Sequence, residues 1–192
     1  ISFLESGYFV ETGWLKSYHN SPPDAEGNPS PWVTLPFIHF IDKRLNKNMK
    51  VFEFGSGNST HYFGKRVDSV FSVEHDKEWF DKVSGNMLSN CKLYYKDLEK
   101  GYEKTVNEMD SHFDIILVDG RMRVACIKNA YSALNDQGVL VLDNSEREEY
   151  KEGIDFLLDK GFKKIDFYGI APGLVNFGCT TVFYREENCL MI

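Results

Sequence analysis

Strand and helix signals alternate along most of this chain, and that alternation restricts the fold more than any other feature. Short runs rich in apolar and β-branched residues predict strands at Val51–Phe54, Val70–Glu74, Lys92–Lys96, Phe113–Asp119, Val139–Asp143, Lys164–Tyr168 and Thr180–Tyr184. Helical periodicity fills the gaps between the first five. Phe80, Val83 and Met87 share one face after Glu74, and Val124, Ile127, Tyr131 and Leu134 share the next. Tyr150, Ile154, Leu157 and Leu158 share the last, which is expected to stop near Gly161. Strands joined through helices pair in parallel by right-handed crossovers, so a doubly wound α/β sheet is expected. Between the last two strands, FYGIAPGLVNFG carries no helix signal and reads as a loop, which makes that pair antiparallel.

Residues 1–36 follow another pattern. Pro22, Pro23, Gly27, Pro29, Pro31 and Pro36 break regular structure, yet Phe3, Tyr8, Trp14, Tyr18 and Trp32 make the stretch too aromatic for a plain linker. It is expected to pack on the main body or to cover a substrate site as a lid. Residues 37–192 form the main domain, opened by a helix on which Phe37, Phe40, Ile41 and Leu45 recur at helical spacing behind Pro36. A chain of 192 residues suits one domain with a full core.

Charge and cysteine usage narrow the function. With 29 acidic against 22 basic side chains the net charge is −7, which disfavours a nucleic-acid partner, since phosphate binding draws on Lys and Arg. The basic stretch from Asp42 to Lys50 reads as a solvated helix end. Cys91, Cys126, Cys179 and Cys189 are scattered without metal-ligand spacing, so reduced thiols and a cytoplasmic location are expected. No apolar run approaches the ~20 residues that cross a bilayer, so no membrane partner is expected. Oligomeric state stays open, a homodimer included.

The stretch VFEFGSGNST, residues 51–60, carries the first chemistry. In an open parallel sheet, ligands bind beyond the carboxyl ends of the strands, where the strand order reverses. Gly55 and Gly57 follow the first core strand, where glycine permits positive φ and close approach of a ligand to the backbone. Ser59 and Thr60 are expected to cap the next helix, whose N-terminus favours acceptors. Glu74 ends the second strand, where a carboxylate can accept both hydroxyls of a ribose, and Asp97 follows the third within reach of the same crevice. Together these residues describe a nucleoside pocket. A dinucleotide-binding turn would carry a third glycine where Thr60 stands, and no acid such as Glu53 is needed before it.

Four motifs in order, E-F-G-S-G-N-S-T, S-V-E-H-D, F-D-I-I-L-V-D-G and L-N-D-Q-G-V-L-V-L-D-N, resemble those of class I S-adenosylmethionine-dependent methyltransferases over roughly residues 50–185. The resemblance implies a Rossmann-like, seven-stranded, mostly parallel sheet with a C-terminal antiparallel hairpin. It implies that Glu53, Gly55 and Gly57, with Ser59 and Thr60 nearby, hold the methionine end of S-adenosylmethionine. By the same resemblance Glu74 holds the ribose, residues 96–98 with Asp97 flank the adenine, and Asp119 borders the cofactor. His75 either stacks on the ligand or fills space.

The acceptor end reads less directly. Asp119 closes the fourth strand, and Asp143 and Asn144 close the fifth. Three such oxygen ligands suit a hard ion such as Mg²⁺, and the set is similar to the metal site of catechol, caffeoyl-coenzyme A and macrocin-type O-methyltransferases. That resemblance implies O-methylation of a small-molecule acceptor. Metal-free members of the fold also place acids here, so both readings stand. The lysine base of the catechol pattern falls on Met122, between Arg121 and Arg123. Asp119 and Arg121 are the candidate catalytic residues: deprotonation rests on the metal, on Asp119 or on a histidine such as His39, with Arg121 as a partner for a carboxylate, phosphate or hydroxyl of the substrate. Aminopropyl transfer on the same fold and a non-catalytic cofactor-binding module are the alternatives.

Overall fold

The computed structural model describes residues 5–18 and 22–192. Phe3 therefore lies outside the described residues. Seven strands form one sheet: β1 Lys50–Phe54, β2 Ser69–Glu74, β3 Cys91–Tyr95, β4 Phe113–Val118, β5 Leu134–Asp143, β6 Lys163–Ile170 and β7 Phe177–Tyr184. Their order is β3-β2-β1-β4-β5-β7-β6, parallel except for the pairings of β7 with β5 and β6. The expected fold class is the one observed.

Position in the sheet explains composition. β1 is central, so Val51, Phe52, Glu53 and Phe54 are all buried, and an uninterrupted apolar run is what a strand covered on both faces requires. Phe52, Phe54, Ile116, Val118, Leu140 and Leu142 pack one face; Val51, Ile115, Leu117, Val139 and Val141 pack the other. Each such side chain contributes about 1.5–3 kcal/mol of burial.

The helices are α1 Tyr8–Glu11, α2 Leu35–Asp42, α3 Asn58–Gly64, α4 Lys77–Ser84, α5 Arg123–Ala130 and α6 Lys151–Asp159. α2 begins as expected, with Pro36 in its first turn and Phe37 and Ile41 buried against the sheet. Several helix readings need correction. Leu45 lies beyond the end of α2, and Tyr131 and Tyr150 fall in single 3₁₀ turns beside α5 and α6. Met87 lies beyond the end of α4, and no residue of that helix is buried. Leu134 pairs with Phe113 in the β4–β5 ladder, because the backbone of LNDQG extends β5 rather than α5. Leu158 stays 40% exposed while Leu157 fills the core. The region between the last two strands is also shorter than expected. β6 and β7 pair in register out to Ile170 and Phe177, leaving residues 171–176 as the connection.

The N-terminal segment is tied to the body at the β6–β7 connection and at the start of α3. Trp14 Nε1 donates to Leu174 O at 2.9 Å, and Gly173 approaches Ser17 so closely that a Cβ there would lie 2.2 Å from Ser17 O. On the other side, Asn58 Nδ2 donates to Pro22 O at 3.1 Å. Thr34 N donates to Thr180 Oγ1 at 3.0 Å, which pins the entry to α2. No helix among the described residues is long and apolar enough to cross a membrane.

Candidate active site

Strand order reverses between β1 and β4, and the loops after these two strands meet there. Gly55 has φ +106°, and a Cβ on it would come within 3.5 Å of Gly120 N. Asp119 N donates to Phe54 O at 3.2 Å, continuing the β1–β4 ladder to the edge. The first core strand thus ends in a turn that only glycine makes without strain.

Glu53 is 1% exposed. Its β2 neighbour in register is Ser72, whose Oγ donates to Glu53 Oε2 at 2.8 Å, and Thr60 Oγ1 donates to the same oxygen at 2.7 Å. Thr60 Oγ1 in turn accepts from Gly57 N at 3.1 Å. Gly57 is the N-cap of α3, so Ser59 and Thr60 sit in the first turn rather than at the cap expected of them. Thr60 is fully buried behind Glu53 and stabilises the turn. Glu53 Oε1 has no hydrogen-bond partner. Burial raises the Glu53 pKa, and the hydroxyls of Thr60, Ser72 and Ser59 offset only part of that rise.

A cavity of about 270 Å³ opens beside this carboxylate, lined by Glu53, Gly55, Ser59, Glu74, His75 and Asp119 among others. Glu74 Oε1 accepts from the backbone N–H groups of His75 and Asp76 at 2.8 and 2.9 Å, and Glu74 Oε2 accepts from Ser56 Oγ at 3.0 Å. The His75 ring stands edge-on to Tyr102 at 5.8 Å. Asp97 is not among the lining residues; its carboxylate accepts from Glu99 N at 3.0 Å and starts the 98–100 turn. His39 is exposed on α2, away from these walls.

Two further cavities adjoin the first. One, of about 480 Å³, runs between Trp32, Trp79, Ser59, Lys82 and Leu174. Another, of about 500 Å³, lies between Trp32, Asp143, Asn144, Glu146 and Asn176. Asp119 lines all three. Trp32 comes from the N-terminal segment and lines both outer cavities, so that segment supplies wall. Trp79 was not singled out in the sequence because the helical period of α4 pointed to Phe80 and Val83. Asp76 caps α4 through Trp79 N, and Trp79 Nε1 donates to Ser56 O at 3.0 Å, which brings the indole within 3.4 Å of a Cβ position on Gly57.

Arg123 is the other residue the sequence left unassigned. It is 8% exposed. Its guanidinium donates to Asp119 Oδ1 and Asp119 O at 3.0 Å each, to Gly120 O at 3.1 Å and to Asp143 O. One fork therefore sets the spacing between the ends of β4 and β5.

At the expected metal set of Asp119, Asp143 and Asn144, one oxygen of each carboxylate is already engaged. A cation already bridges the two strand ends, and Asp143 Oδ1 accepts from Thr180 Oγ1 at 2.7 Å. Among the described residues no group of three His, Cys, Asp or Glu side chains is placed to hold a metal.

Both aspartates bind protons more tightly than ordinary carboxylates. Burial is the main cause for Asp119, with the Asp143 charge next and Arg123 opposing; burial likewise pushes Asp143 up to about 6. A carboxylate raised in the folded state gives stability that is whole below its unfolded pKa of about 3.9 and is lost as pH rises through the folded value. Asp143→Asn is therefore expected to gain stability relative to the parent between pH 5 and pH 8, by roughly 1–3 kcal/mol. Melting curves of both proteins across that range check this; an offset independent of pH contradicts it.

No protein-family model matches the chain, and no curated protein matches it. Among solved structures, precorrin-6Y C5,15-methyltransferase of Geobacter metallireducens superposes with a TM-score of 0.64 at 15% identity, over 86% of this chain and 97% of that one. The Streptococcus mutans protein SMU.1697c, in complex with SAH, gives 0.56 at 12% identity over 79% and 99%. Spermidine synthase of Thermotoga maritima gives 0.59 at 15% identity over 79% and 58%. At these identities the likeness shows a shared fold: this chain has the fold of solved S-adenosylmethionine-dependent methyltransferases.

Proposed function

We propose that this chain is an S-adenosylmethionine-dependent methyltransferase acting on a small-molecule acceptor, with transfer to oxygen. The observation that carries the reading is the position of Asp119, which lines the glycine-turn cavity and both cavities beside it. A group-transfer site needs a donor and an acceptor compartment meeting at one point, and Asp119 stands at that point.

Three residues of the inner cavity support a cofactor site there. Glu53 Oε1 is a buried, unpartnered carboxylate oxygen suited to an ammonium group, and Gly55 leaves backbone open to close approach. Glu74 is held by backbone donors with its carboxylate on the cavity wall, where ribose hydroxyls can donate to it. Bound there, S-adenosylmethionine would supply an electrophilic methyl group on a sulfonium. The work left to the protein is to aim the acceptor and remove its proton. Asp119, raised by burial, is the better base for it, and it accepts the proton of the acceptor hydroxyl as that oxygen forms its new bond to carbon. Trp32 and Trp79 offer apolar walls against which an acceptor can pack. The net charge of −7 favours a small molecule over a nucleic acid.

Calorimetry with SAH, the demethylated product, tests the donor half. The parent protein is expected to bind with roughly micromolar affinity, and Glu74→Ala to bind about tenfold or more weakly. Absence of binding by the folded parent up to millimolar SAH overturns the proposal.

A further inference from the structure

We propose a separate oxyanion-binding subsite at the N-terminal end of α5, for a phosphate or carboxylate group carried by the acceptor. The chain has six arginines. Arg66 and Arg123 are paired with aspartates, and Arg44 and Arg185 donate to the carbonyls of Phe40 and Asp136. Of these six arginines, all among the described residues, Arg121 and Arg147 alone make neither an ion pair nor a side-chain hydrogen bond. In a chain with surplus acid, two unengaged guanidiniums are an unusual pair. They come from different loops, one after β4 and one after β5, and both line a single cavity of about 590 Å³.

Cations outnumber acids on the wall of that cavity. Lys128 lines it, its charge shared with Glu152 at 2.5 Å; Glu149 is the opposing carboxylate on the wall. Met122, the N-cap of α5, provides no side-chain cap, so the first-turn N–H groups add to the positive character. Guanidiniums bind phosphate and carboxylate through paired N–H donors, which suits either oxyanion. The cavity shares Gly120, Arg121 and Arg123 with the inner cavity and Arg147 with the outer one at Asp143. An anionic group held here would keep the remainder of its molecule close to Asp119. Assigning the anion to the acceptor rests on the methyl-transfer reading; the existence of the subsite does not.

The test uses the full chain without cofactor, so its outcome is independent of SAH binding. Inorganic phosphate and, separately, succinate are titrated at low salt and followed by backbone amide NMR. The parent is expected to show saturable shifts at residues 121–125 and 147 with at least one of the two, and the one bound more tightly identifies the oxyanion. Arg121→Gln/Arg147→Gln, both on exposed side chains, is expected to weaken that binding about tenfold or more. Lys43→Gln/Lys104→Gln, which removes equal charge elsewhere, is expected to leave it unchanged. The proposal is overturned if neither anion shifts these residues, or if both double variants lose binding alike.

Discussion

Replacing Arg123 with methionine is expected to destabilise the protein by about 3–5 kcal/mol, the range for removing one member of a buried ionic pair. The side chain is nearly fully buried, and its fork serves four acceptors: Asp119 Oδ1 and the carbonyls of Asp119, Gly120 and Asp143. Methionine fills similar volume, so the loss reports those unmade bonds rather than a cavity. The defect should also depend on pH. Arg123 lowers the Asp119 pKa against burial, so without it Asp119 holds its proton more tightly still. Stability is then lost over a wider window as pH rises, and the deficit of the variant should be larger at pH 8 than at pH 5. Denaturant titration at the two pH values reads this directly; a loss under 1 kcal/mol, or one that shrinks at pH 8, contradicts the role assigned to Arg123.

Gly120→Ala is the second large effect expected. A Cβ at this position would lie 2.2 Å from the Tyr102 hydroxyl and 3.0 Å from Phe54 O. Tyr102 is fully buried, and Phe54 O is backbone of the central strand, so neither yields cheaply. Overpacking of this kind costs roughly 1–3 kcal/mol. Because Gly120 lies against Gly55 across the cavity floor, SAH affinity is expected to fall with it. Shortening the obstacle should restore part of both: Gly120→Ala/Tyr102→Phe is expected to be more stable than Gly120→Ala alone. Equal stability of the single and double variants would mean that the hydroxyl is not what the methyl group strikes.

The parts of this molecule that were legible in the sequence are those set by local pattern. Each of the seven strands fell close to its expected place because a buried strand needs an unbroken apolar run, and β1 betrayed its special residue because Glu53 interrupts one. Gly55 and Gly57 were readable for the same reason: a strand that turns at once into a helix needs positive φ. What stayed hidden depends on contacts distant in sequence. Arg123 follows Asp119 by four residues and looks like a surface cation until β4 and β5 lie side by side, when it becomes the clasp between them. Trp79 lies off the apolar stripe of α4 because its indole reaches Ser56 instead of the sheet. Thr60 was expected at the ligand and is found behind Glu53, since the cap falls on Gly57. The surroundings of Asp119 were hidden in the same way: its acid can be counted along a sequence, but the guanidinium that pairs with it appears only in the fold.

Diffraction from crystals soaked with SAH tests most directly whether one crevice holds the donor and meets the acceptor at Asp119. The expected density has the ribose against the Glu74 carboxylate, the amino group within hydrogen-bond distance of Glu53 Oε1, and the sulfur facing Asp119 toward Trp32 and Trp79. SAH bound with its sulfur turned away from Asp119, or seated outside the walls formed by Glu53, Gly55 and Glu74, would contradict it.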